Sequence, residues 1–142
     1  MADTMKAWQL AFPGRLDEKL ELNHNGPRPT SRDLRGQDIL VLVRGAALNP
    51  ADYKVAELGL LARAVLSFPQ TPCMDLSGTV LPVGPDVGDV LVGDRVTGRL
   101  DPFKPTGALS EQVVLERDDY AKIPPPPPPR TSTTRWAWAP PR

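Results

Sequence analysis

Cysteine and histidine are almost absent from this 142-residue chain, which contains one of each, Cys73 and His24. A single cysteine excludes an internal disulfide framework and is typical of proteins that work in a reducing compartment, so we expect a cytoplasmic location. One histidine and one cysteine are also too few for a zinc site built from these two residue types. We therefore predict that the chain holds no metal.

The chain also lacks the segments that would direct it to a membrane. No run approaches the ~18 uninterrupted apolar residues that a membrane helix needs. The first residues, MADTMK, contain neither the basic nor the apolar region of a secretory signal peptide. Seventeen Lys and Arg balance seventeen Asp and Glu. A net charge of zero argues against binding to nucleic acid or anionic membranes through bulk electrostatics.

Proline, in contrast, is abundant, with 18 residues in the chain. Residues 124–129 form an unbroken run of six, and no Asp or Glu occurs after Asp119. A mildly acidic body over residues 5–123 is thus followed by a basic, Pro-rich tail over residues 124–142. The tail has few aliphatic residues to bury and its prolines cannot donate backbone hydrogen bonds, so we predict that it is disordered. Alternatively, the polyproline run is a ligand for an SH3- or WW-type partner, which a pull-down with and without the tail would test.

The body has the pattern of short strands separated by turns. Residues 38–44, DILVLVR, predict the clearest strand, which is apolar on both faces and therefore central. Trp8 is expected in the core, and Pro82 suggests an edge or a bulge in its strand. Other strands are expected near residues 6–10, 16–22, 75–83, 95–97, 109–115 and 120–123.

One helix is predicted to begin at Asn49-Pro50, since Asn can cap a helix and Pro is favoured at its first position. It would continue to about residue 60 or 66. The polar stretch 23–35 contains Pro and Gly and is predicted to be a loop that includes His24. Many short strands with one or two short helices favour a mainly β fold, a small barrel or sandwich.

Four sequence blocks carry more specific information. They are GAALNPADYK at 45–54, a block with DLSGTV, VG and GDRV within 75–96, GALSE at 107–111, and AKIP at 121–124. In this order they resemble the N-terminal, GroES-like domain of zinc-independent medium-chain dehydrogenase/reductases. That family includes quinone oxidoreductases and enoyl reductases, among them fungal trans-acting enoyl reductases of polyketide synthesis. The resemblance implies a partly open β-barrel over residues 5–123.

The resemblance also points to the first block as a functional site. In zinc-dependent relatives the position of Asn49 is a metal-binding cysteine. A histidine ligand would fall at Met74, where residues 72–75 match P-G-H-E. Neither ligand is present, which again disfavours zinc. Cys73 is expected to be a small buried hydrophobic residue.

In zinc-free relatives, the positions of Asn49 and Lys54 lie near the nicotinamide and the substrate. Without a metal, a cation or a hydroxyl could stabilise the developing enolate. The catalytic candidates are therefore Lys54 and Tyr53, and the cofactor-binding candidates are Asn49 and Lys54. The alternative is that Lys54 is a solvated lysine on a helix face and that Asn49 serves only as an N-cap.

By family, the chain would be part of an NADPH-dependent oxidoreductase acting on a small quinone or enoyl compound. The glycine-rich fingerprint of a dinucleotide-binding Rossmann fold does not occur, and the sequence departs from the family after Pro125. We therefore expect a truncated substrate-side domain that binds no NADPH and is inactive alone. The alternative is a non-catalytic interaction module that presents a polyproline tail.

Overall fold

The computed structural model describes residues 3–126, in which most of the secondary structure is β. The strands are β1 (Thr4–Leu10), β2 (Leu20–Pro27), β3 (Ile39–Ala47), β4 (Asp75–Val83), β5 (Arg95–Arg99), β6 (Gln112–Leu115) and β7 (Tyr120–Lys122). Two short α-helices, α1 (Leu16–Lys19) and α2 (Pro50–Lys54), accompany three 3-10 segments at Ser31–Asp33, Ala56–Ala64 and Arg117–Asp119. None of these helices has the length and apolarity that a bilayer crossing requires.

The strands form two antiparallel sheets. Five of them pair in the order β6-β3-β4-β5-β7, and β1 pairs with β2. The larger sheet does not close on itself. The predicted mainly β, partly open fold with one or two short helices is therefore confirmed. The Pro-rich tail, apart from its first three prolines, lies outside the described residues.

The predicted central strand lies in the middle of the sheet. β3 pairs with β4 on one side and with β6 on the other, and its first three residues are buried. The main core cluster buries Val41 of β3 together with residues from β4, β5, β6 and β7, including Val80, Val96, Leu115 and Tyr120. Pro82 is exposed at an irregularity in the β3–β4 register, as the sequence predicted.

The β1–β2 pair departs from the prediction in three ways. Trp8 is 44% exposed, so its expected place in the core was wrong; it lies on the outer face of the pair, opposite Leu22. Residues 16–19 form a helix rather than part of a strand. β2 then continues to Pro27 and includes the first residues of the predicted loop, because its main chain hydrogen-bonds to β1. His24 is exposed, but on this strand.

The predicted helix begins at Pro50 but ends at Lys54, earlier than expected. A 3-10 segment takes over, and Gly59 within it has a φ of +62°, a conformation that interrupts helical geometry. Ala56, Ala62 and Leu66 anchor this stretch by packing with Leu10 in a second core cluster. These contacts hold the C-terminal side of α2.

Close backbone packing at Gly107 provides a test of this fold. A methyl group at Gly107 would overlap with the carbonyl oxygens of Thr71 and Pro72. Because backbone atoms cannot move aside cheaply, we expect Gly107→Ala to lower the free energy of unfolding by about 1–3 kcal/mol. Chemical denaturation measures this change. Gly88, whose methyl group would meet open space, is the matched control.

Gly88→Ala is expected to leave stability unchanged or to raise it by at most about 1 kcal/mol, because it only restricts the unfolded chain. Equal destabilisation by the two substitutions would contradict the packing seen at Gly107.

Candidate functional site

The carboxylate of Asp52 joins the start of α2 to the segment that precedes β4. Asn49 is the N-cap of α2 and Pro50 is its first residue. The Oδ2 atom of Asp52 accepts a hydrogen bond from the Asn49 N–H at 2.6 Å, and its Oδ1 atom accepts one from the Met74 N–H at 3.0 Å. One side chain thus satisfies a main-chain donor on each of two segments far apart in sequence.

The side chain of Asn49 adds a second connection. Its Nδ2 donates to the Oδ2 of Asp75, the first residue of β4, at 2.7 Å. Asn49 is half-buried, with its amide turned toward this carboxylate. The position where the resemblance implies a zinc-binding cysteine in zinc-dependent enzymes is here a neutral amide inside a hydrogen-bonded network.

Cys73 lies in the chain just before Met74 and Asp75, the residues bonded to Asp52 and Asn49, and it is 3% exposed. Its backbone φ is +84°, in the left-handed region that favours glycine. The Sγ–H donates to the carbonyl oxygen of Ala47 at 3.2 Å. Burial, reinforced by the charge of Asp52, raises the pKa of the Cys73 thiol to about 11. The expectation of a buried, hydrophobic cysteine is confirmed.

The arrangement does not suit a metal ion. The two positions that match zinc ligands are brought together, since Asp52 contacts both Asn49 and Met74. Their side chains, an amide and a buried thioether, are not the nitrogen and thiolate ligands that zinc uses. Within residues 3–126, no three His, Cys, Asp or Glu side chains are placed so that they could hold a metal.

The two catalytic candidates occupy the end of α2. Tyr53 is 37% exposed and Lys54 is also exposed. In the described part of the chain, no carboxylate lies within 4.0 Å of the Lys54 ammonium. The side chains of both therefore face solvent on the helix that Asp52 and Asn49 fix in place.

The surroundings of α2 combine a small cavity and an apolar surface. A cavity of about 90 Å³ lies against α2, the residues before β4 and the loop 101–106, and neither Tyr53 nor Lys54 lines it. On the outside of the 3-10 segment and its flanks, large apolar side chains are exposed; we call them the leucine surface, formed by Leu48, Leu58, Leu60, Leu61 and Val65.

Sequence reasoning missed the two carboxylates of this network, Asp52 and Asp75. A signal for Asp52 was present, because an acidic residue three positions after an N-cap is the spacing of a capping box. No local signal marked Asp75, whose contact with Asn49 spans 26 residues.

Removal of the Asp52 carboxylate is predicted to destabilise the chain. Asp52→Ala leaves the N–H groups of Asn49 and Met74 without their partner, and an unsatisfied buried donor costs about 1–3 kcal/mol. Denaturant-induced unfolding would measure the loss in the free energy of unfolding. Asp86→Ala, at an exposed carboxylate, is the control and should change stability by less than about 0.5 kcal/mol. A loss for Asp52→Ala as small as the control's would show that the network contributes nothing.

The raised pKa of Cys73 predicts slow alkylation of the folded chain. Only the thiolate reacts, so a thiol with a pKa near 11 should react with iodoacetamide at pH 8 about a hundredfold more slowly than in denaturant. Below the pKa, the fraction of thiolate rises tenfold for each pH unit. The alkylation rate should therefore rise about tenfold per pH unit toward pH 11. Mass spectrometry of quenched samples follows the labelling. A rate that levels off below about pH 9 would contradict the expected pKa.

The chain is similar in sequence to part of several longer proteins. The trans-enoyl reductase pgmF of Aspergillus terreus is 40% identical over 129 residues, which cover 86% of this chain and 36% of that protein. A 2-methylene-furan-3-one reductase of Solanum lycopersicum is 35% identical over 118 residues, or 79% of this chain and 29% of that protein. The chain thus spans about a third of the length of the relatives it matches.

Solved structures show the same fold. A quinone oxidoreductase from Coxiella burnetii superposes with a TM-score of 0.71 at 32% identity, over 83% of this chain and 36% of that one. A putative zinc-dependent alcohol dehydrogenase from Rhizobium etli gives a TM-score of 0.70 at 28% identity, over 87% and 34%. The model of the alcohol dehydrogenase GroES-like domain matches residues 35–125, more than half of the chain. The chain therefore belongs to the alcohol dehydrogenase GroES-like domain family of the medium-chain dehydrogenase/reductases.

Proposed function

We propose that this chain forms the substrate-side wall of an NADPH-dependent oxidoreductase that reduces an enoyl or quinone compound. The observation that carries the proposal is the end of α2: Tyr53 and Lys54 are exposed on a helix whose start is tied to Met74 and β4. The names of the related proteins, trans-enoyl reductase and quinone oxidoreductase, support this substrate class.

The proposed reduction requires a group that stabilises negative charge. When hydride adds to an enoyl or quinone compound, charge accumulates on the carbonyl oxygen and a proton completes the reduction. NADPH, when bound, supplies the hydride. On this chain, the ammonium of Lys54 or the hydroxyl of Tyr53 would donate a hydrogen bond to the developing oxyanion. Among residues 3–126 no set of side chains is placed to hold a metal, and we assign the electrostatic role to these two donors.

Asn49 and Lys54 are the residues of this chain that we assign to the nicotinamide. Asn49 is held by Asp52 and Asp75, and it therefore offers a fixed contact rather than a mobile side chain. These two residues cannot hold a whole dinucleotide, whose pyrophosphate is normally bound by a glycine-rich turn at a helix N-terminus. The remaining contacts have to come from another part of the enzyme.

The chain alone is predicted to lack reductase turnover. A cofactor that is not held within reacting distance of the substrate loses a proximity contribution of ~7–11 kcal/mol. An oxyanion donor such as Lys54 contributes about 3–4 kcal/mol and cannot replace it. Purified chain, NADPH and a panel of quinones and enoyl thioesters would be mixed and cofactor absorbance followed. Turnover above background that disappears in Lys54→Ala would refute this prediction.

A chimera tests the proposed role directly. Residues 1–125 of this chain would replace the matched portion of the Aspergillus terreus trans-enoyl reductase. We expect NADPH-dependent reduction of that enzyme's substrate. In the chimera, Lys54→Ala is expected to lower kcat about 10²–10³-fold if Lys54 is the oxyanion donor, and Tyr53→Phe would show the same loss if Tyr53 is.

The control is Lys19→Ala, which removes an exposed lysine from α1. It should leave kcat unchanged. A folded, active chimera that tolerates both Lys54→Ala and Tyr53→Phe would overturn the assignment of these residues.

A further inference from the structure

Three leucines of the leucine surface are exposed and close together. Leu58, Leu60 and Leu61 lie within four consecutive residues, whose first and last Cα atoms can be at most about 11 Å apart. Leu60 and Leu61 are the two most exposed large apolar side chains among residues 3–126. Because the hydration of apolar side chains is unfavourable, a group that covers them is stabilised at this surface.

Acidic side chains lie beside this surface. The N–H of Gly14 donates to the carbonyl oxygen of Ala56 at 2.9 Å. The stretch 15–19, which contains α1, therefore lies next to Glu57. The charged side chains of this patch are three acidic and two basic ones: Asp17, Glu18, Glu57, Arg15 and Lys19. Arg15 is already paired with two of these carboxylates, at 2.7 and 3.6 Å, whereas Glu57 takes part in none of the ion pairs within residues 3–126. The patch therefore attracts a further cation.

The end of the same chain has the complementary chemistry. Residues 127–142 contain Trp136, Trp138 and three arginines, but no Asp or Glu. Tryptophan offers the largest apolar side-chain area of the common residues, about 150–250 Å² when it is buried. Residues 3–126 contain all 17 Asp and Glu and all but three of the 17 Lys and Arg. The described body is thus negative and the tail positive, so the two attract one another.

The tail is long enough to reach the leucine surface. β4 and β7 are both antiparallel to β5, so they run in the same direction. Because α2 is tied to Asp75 at the start of β4, the chain leaves β7 toward the opposite end of the sheet. The nine residues of β4 span about 30 Å. The ten residues from Pro126 to Trp136 extend over at most about 33–36 Å, enough to return to α2.

We propose that residues 135–139, RWAWA, dock on the leucine surface of the same chain. The two tryptophans cover Leu60 and Leu61, and Arg135 lies beside Glu57. Because the segment is tethered, its effective concentration at the surface is on the order of millimolar, so a weak contact suffices. The prolines before it act as the linker. The proposal limits the expected disorder of the tail to the residues before Arg135.

Docking at this surface places the end of the tail beside the proposed site. Leu58 follows Lys54 by four residues, and Lys54 is exposed at the end of α2. The inference goes beyond the proposed function, because it concerns which segment of this chain covers the face next to these donors. It requires neither NADPH nor turnover.

Acrylamide quenching of tryptophan fluorescence tests the docking. Trp8→Phe leaves the two tail tryptophans as the only ones in the chain. In this variant we expect a quenching constant at least about threefold lower than that of a free peptide of residues 127–142, at every chain concentration. Equal constants for chain and peptide would overturn the proposal. Protection that grows with concentration would also overturn it, because the tail would then bind a second copy.

Surface variants locate the contact. In the Trp8→Phe chain, Leu60→Ser with Leu61→Ser should raise the quenching constant to that of the peptide. Leu91→Ser with Val92→Ser is the matched control, at an exposed apolar turn that is bonded to the far end of β4, and it should change nothing. Protection that survives the first pair of substitutions, or that is lost with the second, would place the tail elsewhere and contradict the proposal.

The charge of Glu57 is tested in the same assay. Glu57→Lys puts a like charge beside Arg135 and is expected to raise the quenching constant. Asp86→Lys, at another exposed carboxylate, makes the same change in net charge and should have the smaller effect. Equal effects of the two substitutions would show that Arg135 does not lie beside Glu57.

A paramagnetic label locates the tail without altering the leucine surface. Thr134→Cys supplies an accessible thiol for a nitroxide, whereas Cys73 is buried. The amide NMR signals of residues 58–61 should broaden in the labelled chain, and those of residues 91–92 should not. Unchanged signals at 58–61 would contradict the proposal. Equal broadening in an isotope-enriched chain mixed with a separate labelled copy would assign the contact to two chains and overturn it. These assays contain no NADPH, so their failure is distinguishable from failure of the proposed reductase function.

Discussion

The candidate site depends on one carboxylate. Asp52 accepts hydrogen bonds from two main-chain N–H groups, one at the start of α2 and one just before β4. A five-residue helix has little stability of its own, because helix formation needs several turns to offset the cost of nucleation. The fixed position of α2, and with it the placement of Tyr53 and Lys54, therefore comes from tertiary contacts at both of its ends.

Strong local patterns in the sequence were reliable predictors of the fold. The apolar run of β3, the Asn-Pro start of α2 and the irregularity at Pro82 follow from residue types that leave few alternatives. The end of α2 was harder to predict, because the apolar residues that follow Lys54 in the 3-10 segment would also suit a longer helix. Gly59 interrupts the helical geometry between Ala56 and Ala62, which are both buried in the second core cluster.

The errors in β1 and β2 have a different physical origin. Residues 23–27 are polar and contain Gly and Pro, yet they form a strand because β1 supplies the hydrogen bonds. Trp8 lies on the solvent side opposite Leu22, where cross-strand contact replaces burial in the core. In the site, the sequence predicted Asn49, Tyr53 and Lys54 as candidates, but the contact between Asn49 and Asp75 depends on the folded arrangement.

The leucine surface makes temperature a factor in handling the isolated chain. Leu58, Leu60 and Leu61 are 58%, 81% and 74% exposed around Gly59, whose φ is +62°. Attraction between such side chains strengthens on warming from the cold and in sulfate, because both increase the cost of hydrating apolar groups. Any attraction between these side chains on neighbouring copies of the chain is therefore weakest in the cold and at low concentrations of such salts.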